Sequence, residues 1–108
     1  MTEQTDKLTR IAELLLARTR EGQTEWEETV DKNTFTTSTE AFSVRVGSLH
    51  GTGDYYLGIV NEKGRVVQGA SFPPDSEILK ALYQAARQNA LHVEEVLDNV
   101  LRTLGERK

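Results

Sequence analysis

The sequence predicts an α+β fold: an N-terminal helix, an antiparallel sheet of four to five strands in meander order, and one long or two short C-terminal helices packed on one sheet face. Three observations carry this reading. Apolar residues recur every three to four positions before residue 21 and again after residue 75, the period of a helix buried on one side. Between those limits the alternation has period two, as in half-buried strands. Connections within that stretch are short, which makes neighbouring strands antiparallel, because a parallel crossover takes about a dozen residues or more. Residues 1–108 read as one domain, long enough to hold a core without disulfides.

The first helix is expected over residues 5–21. Leu8, Ile11, Ala12, Leu15 and Leu16 form its apolar stripe. Thr5 or Asp6 is placed to cap the free N–H groups at its start. Arg18 and Arg20 fall in the last turn, where the macrodipole favours cations, and Gly22 follows as a residue that adopts left-handed dihedrals without steric cost.

Strands are expected over residues 24–30, 34–38, 42–47, 55–60 and 65–70. In the first, Trp26, Glu28 and Val30 alternate with Glu25, Glu27 and Thr29; Asp31-Lys32-Asn33 then turns, with Asn33 suited to positive φ. Thr34 to Ser38 is rich in β-branched residues, and Glu40 and Ala41 mark the next reversal. Phe42, Val44 and Val46 alternate with Ser43, Arg45 and Gly47. Gly47-Ser48-Leu49-His50-Gly51-Thr52-Gly53-Asp54 is the longest loop-like stretch, after which Tyr55, Leu57 and Ile59 alternate with Tyr56, Gly58 and Val60. Asn61-Glu62-Lys63-Gly64 signals a hairpin with a type I turn and Gly at the left-handed bulge position. Phe72-Pro73-Pro74-Asp75 ends the sheet, since proline cannot donate to a ladder, and Asp75 or Ser76 is placed to cap the next helix.

The C-terminal helices are expected over residues 75–89 and 92–104. Ile78, Leu79, Leu82, Tyr83 and Ala86 form one stripe; Val93, Val96, Leu97, Val100, Leu101 and Leu104 form another. The positions Leu79, Tyr83, Ala86, Ala90, Val93, Leu97, Val100 and Leu104 also keep an unbroken heptad phase. A single helix of about 30 residues would be ~45 Å long, more than the width of a small domain, and would project an apolar stripe that needs a partner. A break near Asn89-Ala90-Leu91-His92 would instead close a compact domain. No proline or glycine stands there to enforce it.

Three segments resemble a group of small uncharacterised bacterial proteins and domains. They are Glu25-Trp26-Glu27-Glu28-Thr29 with Thr34-Phe35, the run from Tyr55 to Gly64, and Leu82-Tyr83-Gln84-Ala85-Ala86-Arg87. The resemblance covers most of the chain and implies the fold, because its anchors are fold-forming residues. Members of the group are expected to carry Gly where His92 stands, which implies a helix break before Val93. It implies no activity and transfers no functional residue.

Function is bounded mainly by what the composition disfavours. A net charge of −4 repels phosphate backbones, and Arg18, Arg20, Arg45, Lys63, Arg65 and Arg87 are scattered, so no nucleic-acid partner is expected. The absence of cysteine removes disulfides and thiolate chemistry. The polar start has no signal-peptide pattern, and the longest aliphatic stretch, Leu14 to Ala17, is far below the ~20 residues of a membrane span. A cytoplasmic protein without a membrane partner is therefore expected.

The acidic group Glu21, Glu25, Glu27, Glu28 and Asp31 could hold a divalent cation or supply paired carboxylates, but strand alternation would divide it between two faces, as befits a solvated edge strand. The glycines around His50 join two strands, whereas a phosphate loop joins a strand to a helix. His50 and His92 are too far apart for metal-ligand spacing, and no nucleophile elbow occurs. No catalytic, cofactor-binding or metal-ligating residue is expected, and no cofactor. The sequence reads best as a non-catalytic interaction or regulatory domain of a bacterial cytosolic protein, binding a protein partner or its own copy. The candidate surface comprises Arg45, Tyr55, Tyr56 and Arg65 on the sheet with Val93, Leu97, Val100 and Leu104 on the terminal helix. The alternative is a small-ligand or enzymatic domain with a pocket between sheet and helices, His50, Asp54 and the acidic group at its mouth.

Overall fold

Helix α1 (Glu3–Arg20) leads into five strands, β1 (Glu27–Glu28), β2 (Thr34–Ser38), β3 (Phe42–Ser48), β4 (Tyr55–Asn61) and β5 (Val66–Phe72), followed by α2 (Glu77–Ala90) and α3 (Val93–Thr103). The computed structural model describes residues 3–39, 41–49 and 51–105, with side chains from residue 6 onward. The strands form one antiparallel meander in the order β1-β2-β3-β4-β5. Its register sets Phe35, Val46, Leu57 and Ala70 side by side on one face, and Thr36, Arg45, Gly58 and Gly69 on the other.

Helix α2 packs across the first of these faces, and α1 lies chiefly against α2. Leu8, Ala12 and Leu16 of α1, Val44, Val46 and Leu57 of the sheet, and Leu79, Leu82 and Ala86 of α2 meet in the core. Tyr83 tilts against both Phe35 and Tyr55, with ring centroids 5.7 and 5.6 Å away. Burial pushes the Tyr83 phenol above its ordinary value of 10.0, against the opposing pull of Arg87.

The predicted signals account for most boundaries. Gly22 has φ 77° after α1, and Asn33 has φ 60° in the β1–β2 turn. The hairpin after β4 closes as expected: the Gly64 N–H donates to the Asn61 carbonyl, Gly64 has φ 83°, and Asn61 Oδ1 accepts from the Lys63 and Arg65 N–H groups. Ser76 caps α2, its hydroxyl accepting from the Leu79 N–H at 3.4 Å.

Three elements depart from their expected bounds in ways that local chemistry explains. The first helix begins at Glu3, so Thr5 and Asp6 lie within it and not before its first turn. The first strand shrinks from 24–30 to Glu27–Glu28. Trp26 is drawn into the core, where its backbone N–H donates to Asn89 Oδ1 at 2.6 Å. On the other side, the Thr29 hydroxyl accepts from the Asp31 N–H, a local turn that leaves Val30 wholly exposed. The last strand runs to Phe72 and begins one residue later, because Arg65 is held in the turn. A register shift at Ile59/Val60 absorbs the odd residue.

The C-terminal helix does break. His92 adopts left-handed dihedrals, φ 52° and ψ 50°, and its side chain makes no capping hydrogen bond. The break does not close a compact domain. Among the described residues, none of α3 is buried, and α3 packs chiefly on α2. The molecule measures 54 × 31 × 26 Å, with a radius of gyration of 15.4 Å, where a compact domain of this length would give about 13 Å. A β-carbon in the left-handed region costs about 1–2 kcal/mol, partly offset by the extra chain entropy that glycine loses on folding. His92→Gly is therefore expected to raise the unfolding free energy by about 0.5–1 kcal/mol in urea titrations.

Candidate docking surface on the C-terminal helix

In α3 the spacing Val93, Val96, Leu97, Val100, Leu101, Leu104 puts six aliphatic side chains on one face. That face is bare. Relative exposures are 50% at Val96, 52% at Leu97, 45% at Val100 and Leu101, and 79% at Leu104, with Val93 half-buried beside α2. Glu94, Glu95 and Asp98 occupy the first half of the helix and Arg102 its last turn, all exposed. Isolated surface leucines are ordinary, but a contiguous aliphatic face of this size on a small chain marks a contact site.

The candidate residues on the sheet do not share a surface. Tyr55 turns to the helix side and stacks on Tyr83. Tyr56 lies on the opposite face, across Gly58 and Gly69: a β-carbon on either glycine would stand 2.5 Å from the phenol oxygen. Its ring thus covers two glycines that bring no side chain of their own to the sheet. Arg45 projects from that open face, opposite Gly58, while Arg65 belongs to the hairpin turn. By contrast, Val93, Leu97, Val100 and Leu104 are gathered on one helix.

A groove of about 690 Å³ runs between α1 and the β2–β3 end of the sheet, lined by Ile11, Leu15, Arg18, Glu25, Glu27 and Phe42 among others. Its size suits a small ligand. Asp54 is not part of its wall, and His50 lies outside the described residues. Glu21, Glu25, Glu27, Glu28 and Asp31 are all exposed, and among the described residues no three acidic or histidine side chains converge. Hydrogen bonds tie the segment between α1 and β1 to its neighbours. The Thr37 hydroxyl donates to the Glu25 carbonyl at 2.7 Å, and the Trp26 indole N–H donates to the Thr19 hydroxyl at 2.9 Å. Sequence alternation could not reveal this groove, since its walls come from α1 and β3, which are distant in the chain.

No family model, curated protein or solved structure matches the chain. Among the described residues, no helix is long and apolar enough to cross a membrane.

Proposed function

We propose that the protein is a non-catalytic interaction module, a protein-binding or regulatory domain acting in the bacterial cytoplasm, with α3 as its docking element. One observation carries the reading: an 11-residue helix leaves Val96, Leu97, Val100 and Leu101 exposed on one face, continued by Leu104 at its C-terminal cap. Helices shorter than about 12–15 residues are marginal in water, and most draw their stability from packing an apolar face. Helix α3 has too little packing of its own, so a partner that covers the face supplies what the chain lacks. The groove beside α1 favours a small ligand less strongly, because its charged liners, Arg18, Glu25 and Glu27, are exposed and surrounded by hydroxyl side chains.

The test uses Leu97→Lys/Val100→Lys, which puts two charges on the face without touching the core. Circular dichroism and the melting midpoint of the dilute chain are expected to stay unchanged. Binding of protein partners by the immobilised chain is expected to fall at least about tenfold, the scale of 1.4 kcal/mol. In the bound complex, amide exchange of Val93–Thr103 is expected to slow. Undiminished binding by the variant, with no slowing over α3, would refute the reading.

A further inference from the structure

Helix α1 rests on α2 rather than on the sheet, so the groove beside it keeps two apolar walls that do not meet. Leu14 of α1 and Phe42 of β3 are 65% and 43% exposed along those walls, and Ile11, Leu15 and Val44 continue them inward. The volume of about 690 Å³ falls in the range of sites that enclose a drug-sized molecule. Apolar walls alone do not select what fills them; the polar groups between them do.

Most of the groove's hydroxyls are already committed. Thr36 donates to the Val44 carbonyl, Thr37 to that of Glu25 and Thr39 to that of Phe42, while Ser38 pairs with Ser43. Thr24 differs from them. It is only 8% exposed, yet its hydroxyl makes no hydrogen bond to any described residue. Among the described residues no sealed side-chain oxygen lacks a partner, so the Thr24 oxygen opens on the groove that it lines. A hydroxyl so deeply set costs free energy until a partner reaches it, which makes it an anchor for a bound polar group.

The charge of that group follows from the neighbours of Thr24. Glu25 and Glu27, on either side of the buried Trp26, both line the groove, against a single cation, Arg18. None of the three has an ion-pair partner among the described residues. The Gln23 N–H donates to the Arg18 carbonyl, so Thr24 directly follows the last turn of α1, at the negative pole of the helix dipole. An anion here would meet two carboxylates and a helix C-terminus, whereas a cation is opposed by one guanidinium. We propose that the groove binds a small amphipathic amine. Its ammonium group, a donor only, gives a hydrogen bond to the Thr24 hydroxyl beside Glu25 and Glu27. Its apolar body lies between Leu14 and Phe42. The site is separate from α3 and does not depend on that helix's docking role.

The full chain is to be titrated with phenylbutylamine, phenylbutanol and phenylbutanoate, which share an apolar body and differ in charge, while amide shifts are followed by nuclear magnetic resonance. The amine is expected to give saturable shifts over residues 23–27 and 36–39, and to bind at least about tenfold more tightly than the alcohol or the acid. Glu25→Gln/Glu27→Gln and Thr24→Val are each expected to weaken the amine about tenfold. Arg18→Gln should act in the opposite sense, tightening the amine about threefold by removing the opposing charge. These substitutions keep side-chain size and remove no hydrogen bond or ion pair, so circular dichroism is expected to stay unchanged. Equal binding of the alcohol or the acid, or shifts confined to α3, would overturn the proposal. So would an amine affinity untouched by Glu25→Gln/Glu27→Gln or by Thr24→Val, or lowered by Arg18→Gln.

Discussion

Trp26→Ala is expected to destabilise the fold by about 3–5 kcal/mol, the range for removing a large buried aromatic. The indole is 2% exposed and fills the corner where α1, β1 and α2 meet. Its N–H donates to Thr19 Oγ1 at 2.9 Å, and the Thr19 hydroxyl donates in turn to the Leu15 carbonyl at 2.7 Å. The Trp26 backbone N–H reaches Asn89 Oδ1 near the end of α2. One residue thus ties the end of the first helix to the end of the second. Alanine removes the ring and leaves a cavity that two helices and a sheet cannot all close. Trp26→Phe fills part of the space and loses only the indole bond, so a smaller loss of about 1–3 kcal/mol is expected. Asn89→Ala strips the backbone N–H of its acceptor and is expected to cost about the same. Because Trp26 is the sole tryptophan, unfolding of these variants is read by circular dichroism in urea. A cost below about 1 kcal/mol for Trp26→Ala would show that the corner is not part of the cooperative core.

The joint at Trp26 also shows where the sequence stops being informative. Period-two alternation placed Trp26 on the same strand face as Glu28 and Val30, yet Trp26 is buried and the other two are exposed. Alternation assumes a regular ladder. Here a contact 63 residues away in sequence and a threonine turn at Thr29 break it, and neither is a local signal. Elements set by local chemistry were legible. The Asn61–Gly64 turn fixes its own register, and Ser76 after two prolines starts a helix from adjacent residues alone. The meander followed from short connections. The break before Val93 had no glycine or proline to announce it, because the residue in the left-handed position is histidine. The stripe of α3 was legible as a pattern, but its exposure was not. Amphipathic spacing says that a helix has an apolar face and is silent on whether the chain itself covers that face.

Two leucines on consecutive helices measure that difference directly. Leu82→Ala, in α2, is expected to cost about 2–5 kcal/mol, and Leu97→Ala, in α3, less than about 0.5 kcal/mol in dilute solution. The deletions are chemically identical. Leu82 is fully buried among sheet and helix side chains, so its loss removes transfer free energy and leaves a cavity. Leu97 is 52% exposed on a helix with no buried residue, so truncation exposes little and empties nothing. Helix propensity adds no penalty at Leu97, since alanine is the better helix former. The two sites should also respond differently to protein concentration. A core defect is independent of it, whereas a contact between copies stabilises the folded state by mass action and grows as the protein is concentrated. Urea or thermal unfolding repeated over about a thousandfold range of concentration, where saturating self-association can add about 4 kcal/mol, separates the two cases. The Leu82→Ala deficit should stay constant, while the Leu97→Ala deficit should be near zero at the dilute end and widen only where copies associate through α3. A Leu97→Ala deficit as large as that of Leu82→Ala in dilute solution would mean that α3 folds back onto its own core.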